Sequence, residues 1–186
     1  MRWSNRRNGC REGEIHTVTV DGTDCQIEEP KREDGEKGID PKWYSHKFKG
    51  AGLRYEIAVA AYASHIVWVN GPFPCGSFSD LKIYKEMGLA QKLIDAGEKC
   101  VADGTYRHYT VSQKGRGRLS WRQQKNRLRA RHETVNNRIK IFDCFKRKWR
   151  HSHELHKHAF CAAVYLTQVS FQFNPIMDPN KRYRIR

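Results

Sequence analysis

The sequence predicts a single α/β domain, a mixed sheet flanked by helices. Three observations predict it. Apolar residues alternate with a period of two through much of the first hundred positions, and they recur at helical spacing in the last sixty. The 186 residues suffice for one compact domain that buries roughly 70% of its unfolded surface. At 38% hydrophobic, the chain is too apolar for a disordered polymer and lean for a large core.

Residues 1–14 are polar and basic, lack an apolar period, and are expected to form a disordered N-terminus. Residues 15–21 read as a strand with Thr17, Thr19 and Asp21 on one face and Val18 and Val20 on the other, closed by a turn at Gly22-Thr23. Residues 31–42 carry no period and form a loop. Residues 43–49 read as a strand that enters a turn at Gly50-Ala51-Gly52. Residues 53–62 form a strand with Leu53, Tyr55, Ile57, Val59 and Ala61 on one face. A short apolar strand at 65–70 stops at Gly71-Pro72-Phe73-Pro74. Ser77 opens a helix, with Asp80 at capping-box spacing, which ends near residue 95. Residues 99–103 form a short buried strand, and 106–118 are irregular, broken by Gly115 and Gly117. A helix follows over about 120–146, with an interruption near Arg131, and a last one over 155–171 packs Phe160, Val164 and Tyr165.

Composition narrows the class. No apolar run exceeds seven residues (57–63), far short of the ~20 that a membrane helix needs. The first twenty residues hold no apolar signal stretch, so a membrane or secreted protein is not expected. The six cysteines lie far apart with no C-x-x-C, which fits reduced, packed thiols and not a zinc or disulfide framework. Lysine and arginine outnumber acids by 15. Residues 114–150 alone contain fourteen Lys/Arg against Glu133 and Asp143, a net +12. A stripe so basic suits a polyanion, nucleic acid first.

The acids that carry chemistry are sparse after Asp103. Asp21 and Asp103 each close an apolar strand and each precedes Gly-Thr. On neighbouring strands their carboxylates would stand about 5 Å apart and repel by roughly 3 kcal/mol at an effective dielectric near 20. A proton, a basic side chain or a divalent cation would then be needed between them. The competing reading is an Asx-turn at each position. Asp24 is an alternative to Asp21, and Asp80 reads as a helix cap. Glu133 lies opposite the apolar stripe of Val135, Ile139 and Phe142, accessible either to a ligand or to pairing with Arg129 or Arg131. His151, His153, His156 and His158 read as crowding at a helix start, not as a metal site.

Several strings occur in a telling order: Val20-Asp21-Gly22-Thr23-Asp24-Cys25, Trp43 through Gly50, Gly71 through Asp80, Ala102-Asp103-Gly104-Thr105-Tyr106, and Arg131 through Arg138. Together they resemble the catalytic domain of DDE-superfamily endonucleases of the Harbinger-like transposase kind. The resemblance implies an RNase H-like fold, placed over residues 15–173; residues 174–186 read from their own charge as a basic C-terminal tail. It implies that Asp21, Asp103 and Glu133 are both the catalytic residues and the metal ligands. Their cofactor would be Mg²⁺ or Mn²⁺, in a two-metal mechanism with ions about 3.5–4 Å apart. Lys125, Arg127, Arg129, Arg131, Arg138 and Lys140 would grip the DNA backbone. The expected activity is cleavage or transfer of DNA phosphodiester bonds, in the nucleus. Only twenty residues precede Asp21, with no recognisable helix-turn-helix pattern, so a separate DNA-binding partner protein is expected; a homo-oligomer is a further expectation. The alternative is an inactive, truncated or domesticated relic that binds DNA without cutting it.

Overall fold

The computed structural model describes residues 1–32, 35–112 and 119–176, with the backbone alone for 119–122, 124 and 125. Its centre is strand β1 (His16–Gln26). Antiparallel to it runs β3 (Gly50–Ala60), which pairs in turn with β4 (Ile66–Pro74), while the two-residue β2 (Tyr44–Ser45) pairs with the first residues of β3. On the other side of β1 lie β5 (Lys99–Val101) and β6 (Val111–Ser112), both parallel. The lateral order is therefore β4-β3-β1-β5-β6, a mixed sheet with the RNase H-like arrangement.

Strand periodicity divides the core in two. Leu53, Tyr55, Ile57 and Val59 project to one face, under Val135 and Ile139 of helix α3 (Leu119–Ile139) and under Phe160 and Val164 of α5 (His153–Ser170). Val18, Val20, Ala58 and Ala60 project to the other face, against Tyr84 of α1 (Asp80–Glu86) and Leu89, Ala90 and Leu93 of α2 (Leu89–Asp95). The short α4 (Asp143–Lys146) adds Phe145 to the first core. Among the described residues no helix is long and apolar enough to cross a membrane. All six cysteines are free thiols.

Several local expectations are corrected. β1 does not turn at Gly22 but continues to Gln26, because Asp24, expected past that turn, is held in the strand and buried by Arg54 and Ser45. β4 runs through Gly71-Pro72, which an edge strand tolerates because proline removes only an outward-facing donor. The first helix starts at Asp80, is capped by the Ser79 hydroxyl on Lys82 N–H at 3.2 Å, and breaks into two at Gly88, whose φ is +100°. Val111–Ser112 is a strand within the stretch expected to be irregular. Helix α3 passes Arg131 uninterrupted and ends at Ile139.

The N-terminal residues, expected to be disordered, are docked instead. A 3-10 turn at Trp3–Arg7 sets Arg6 Nε 2.7 Å and Arg7 Nη1 2.6 Å from the buried Glu98 carboxylate, which also accepts from Thr17. Ile176, in the segment expected as a basic tail, also docks: its N–H donates to Ser64 Oγ. Gly115, Gly117 and residues 177–186 of the basic tail lie outside the described residues. His156 is fully buried, 2.7 Å from Tyr55 Oη, and burial pushes its pKa down to about 4, so it is a neutral core residue.

Candidate active site

The site is built where β1, β5 and α3 meet. In the parallel β1–β5 ladder Thr19 is level with Val101. The same register carried two residues further brings Asp103, just past β5, beside Asp21 on β1. Helix α3 lies on this face through a stripe of Leu128, His132, Val135 and Ile139, all buried. Polar contacts fix its rotation: Thr19 Oγ1 meets His132 Nδ1 at 3.0 Å, Asn136 Nδ2 donates to Asp21 Oδ2 at 3.1 Å, and Lys140 Nζ donates to the Asp24 carbonyl at 2.8 Å. Glu133, one residue after His132 and one turn before Asn136, is thereby held over the sheet's rim.

The three acids line one cavity of about 220 Å³, together with Thr19, Lys47, Arg129 and His132. Adjoining hollows extend it along α3. One is lined by Asn126, Arg129 and Glu133, the other by Asp21, Gly22, Lys47, Glu133, Asn136, Asn137 and Lys140. The stretch of helix from 126 to 140 measures roughly 20 Å at 1.5 Å per residue, a groove with acids at its centre, Arg129 and Lys140 on the helix side and Lys47 on the sheet side.

Burial pushes the Asp21 pKa up to about 6, and the neighbouring charges of Asp80 and Asp103 add to that; Lys47 and the Gly22 N–H work against it. Burial pushes His132 down to about 3, so its imidazole is neutral. Asp21 Oδ1 accepts from Gly22 N–H at 2.9 Å, and Asp103 Oδ1 accepts from the Thr105 N–H at 2.7 Å and from the Thr105 hydroxyl. The Asx-turn expected as the competing reading thus exists at Asp103, and Asp103 lines the cavity as well.

Three hard carboxylate donors, with no thiolate among them, suit a divalent cation such as Mg²⁺ or Mn²⁺. Among the described residues, however, no three acids, histidines or cysteines close on one ion-sized point. The donor set fits by chemistry, with the carboxylates spread along the cavity.

A second acidic layer lies behind β1. Asp24 is fully buried; burial pushes its pKa up, but the Arg54 guanidinium (Nε to Oδ1 2.7 Å, Nη2 to Oδ2 3.0 Å), Lys47 and Ser45 outweigh that and hold it below the ordinary range. It is therefore an anchor, not a substitute for Asp21. Asp80, expected to cap its helix, instead reaches Gly22, with its Oδ1 3.3 Å from Arg54 Nε. A Cβ on residue 22 would meet that oxygen at 1.9 Å. This explains the glycine inside a strand. Alanine in place of a strand glycine ordinarily gains about 0.5–1 kcal/mol. Gly22→Ala is expected to lose stability, about 1–3 kcal/mol, by overpacking. Thermal melting measures it, with most of the loss absent in an Asp80→Ala background; a stabilised Gly22→Ala would contradict the close approach.

The expected DNA grip divides. Arg127 and Arg129 are exposed, and Lys140 lines the groove while also tied to Asp24. Arg131 is corrected: it is only 2% exposed, and its guanidinium donates to the carbonyls of Ala60, Ala63 and Ile176, because it continues the buried stripe of α3. Arg138, half-buried, donates to the Asn174 carbonyl, lies over the Phe171 ring and lines a separate hollow with Phe142 and Leu166. The side chain of Lys125 lies outside the described residues. Lys47, Asn136 and Asn137 line the groove without having been expected there.

This arrangement defines a class: an RNase H-like domain whose central strand, its parallel neighbour and the following long helix present acids to one rim. A family model described as the DDE superfamily endonuclease matches residues 20–168, and the chain belongs to that family. Comparison with curated proteins and with solved structures finds no match.

Proposed function

We propose that the chain is the core of a metal-dependent, transposase-like nuclease that cleaves or transfers DNA phosphodiester bonds, with Asp21, Asp103 and Glu133 as its catalytic carboxylates. One observation carries the reading: acids from three separate elements line a single cavity within a cation-walled groove. Asp21, half-buried and held by Gly22 and Asn136, is the fixed point of the set. Asp103 and Glu133 flank it from β5 and α3. A divalent cation held there would supply Lewis-acid stabilisation of the attacking and leaving oxygens. Arg129, Lys140 and Arg127 would hold the flanking phosphates, giving affinity that falls with salt and reads no bases. The catalytic unit is taken to span 15–173 of a Harbinger-like enzyme, acting in the nucleus with a DNA-binding partner protein or as a homo-oligomer.

A second reading, a non-cutting DNA-binding relic, is favoured by the carboxylates that already have hydrogen-bond partners within the chain and do not close on one ion. Supercoiled plasmid separates the two. The nuclease reading expects nicked and linear products with Mg²⁺ or Mn²⁺ and none with EDTA. Salt-sensitive binding with no metal-dependent product would overturn it in favour of the relic.

A further inference from the structure

We infer that Lys47 binds a DNA backbone phosphate bordering the bond that is cut, and that Asp24 and Ser45 exist to deliver it there. The inference rests on the nuclease reading for its substrate. Lys47 belongs to the tight connection between β2 and β3, where Phe48 N–H returns to the Ser45 carbonyl at 3.3 Å, Lys47 N–H donates to Ser45 Oγ at 3.3 Å, and Lys49 adopts φ +51°. Ser45 is the buried residue of this turn, and its hydroxyl donates to Asp24 Oδ2 at 2.9 Å. Asp24 is in turn clamped by Arg54. A rigid path therefore runs from the central strand to the base of the lysine.

The ammonium is not consumed by that path. Lys47 Nζ stands 4.0 Å from Asp24 Oδ1, outside hydrogen-bond range, while both Asp24 oxygens already accept from Arg54 and Ser45. Its side chain is 57% exposed, and an ion pair so placed adds little to stability. Yet Lys47 lines both the cavity with Asp21, Asp103 and Glu133 and the adjoining one with Asn136 and Lys140. Arg129, from α3, lines the first cavity too. A flexible point charge with three donors, beside the carboxylates yet unbonded to them, suits an anionic phosphodiester oxygen by charge and reach. Asp24 and Ser45 act as positioning residues.

The probe is a fluorescein-labelled DNA duplex, titrated in EDTA from about 50 to about 300 mM NaCl. Lys47→Ala is expected to weaken binding and lower the slope of log Kd against log salt by about one, with Lys47→Arg retaining it. With Mn²⁺, Lys47→Ala is expected to lose ~10-fold or more in kcat/KM, an electrostatic contact of the kind worth up to 10²–10³, and Lys47→Arg to recover most of it. Ser45→Ala is expected to lose part of that activity, and the Ser45→Ala, Lys47→Ala double variant to be no worse than Lys47→Ala, since both act through one contact. An unchanged slope and unchanged kcat/KM in Lys47→Ala would overturn the inference while wild-type cutting kept the nuclease reading. Tighter binding or faster cutting in Lys47→Ala would overturn it too, marking the lysine as an obstruction. If wild-type protein never cuts, the nuclease reading falls, and the salt slope alone decides whether Lys47 touches phosphate.

Discussion

Asp21→Asn, Asp103→Asn and Glu133→Gln are each expected to remove metal-dependent DNA cleavage while leaving the fold and the salt-sensitive binding in place. The loss should reach roughly 10³-fold or more, beyond the 10²–10³ that deletion of one preorganised donor costs, because each change removes charge that would hold the cation itself. Stability should respond differently at Asp21 and Glu133, and that difference separates chemistry from folding. Burial pushes the Asp21 pKa up to about 6, so above that pH the folded chain holds a desolvated carboxylate at a cost. Its neutral isostere relieves the cost, and Asp21→Asn is expected to melt at or above the wild-type temperature at pH 8 while losing activity. Glu133 is exposed, and Glu133→Gln should leave melting unchanged. Plasmid nicking and thermal melting on the same preparations are the measurements. Cleavage surviving within tenfold in all three variants would sink the assignment, as would lost cleavage accompanied by collapsed melting in each.

How far the sequence reaches can be judged residue by residue. The alternation in β1 and β3 was readable although helices cover both faces of the sheet, because buried or half-buried polar residues (Thr17, Thr19 and Asp21 on β1, Arg54 and Glu56 on β3) take alternate places among the apolar ones. The exposure of Glu133 followed from helical geometry alone. The burial of Arg131 was readable by the same rule: stepping back four residues from Val135, and again from Ile139, runs along one stripe, and a guanidinium there must find carbonyls, as it does at Ala60 and Ala63. Its place in a basic run obscured this. His156 likewise sits four residues before Phe160, on the buried side of α5.

Other features depend on contacts between segments remote in the chain. Gly22 looks like a turn residue until Asp80, fifty-eight positions later, is seen against it. The docked N-terminus depends on Glu98 meeting Arg6 and Arg7. Lys47 is an ordinary loop lysine until Ser45 is tied to Asp24. None of these pairings leaves a local period, because neither partner is chosen by its own strand or helix.

The same tertiary assembly leaves one carboxylate in an expensive place, and this gives the second large expected effect. Glu56, on β3 opposite Gly22, is 1% exposed; Oε2 accepts from Trp68 Nε1 at 3.0 Å, and Oε1 has no hydrogen-bond partner among the described residues. Burial pushes its pKa up to about 8, with the Asp80 charge adding and the Trp68 hydrogen bond opposing. Between about 4.5, the ordinary glutamate value, and about 8 the folded chain keeps this proton and the unfolded chain has released it. The unfolded state binds fewer protons there, so stability falls as pH rises through the window, on the order of a few kcal/mol in all. Glutamine copies the protonated acid in shape and cannot ionise. Glu56→Gln is therefore expected to match wild type near pH 4.5 and to melt roughly 5 °C or more above it at pH 8, the gap opening steadily between. Urea or thermal unfolding across that range measures it. Parallel pH profiles for the two proteins would mean that Glu56 reaches water or a cation at neutral pH, and the buried acidic layer behind β1 would then be open to solvent.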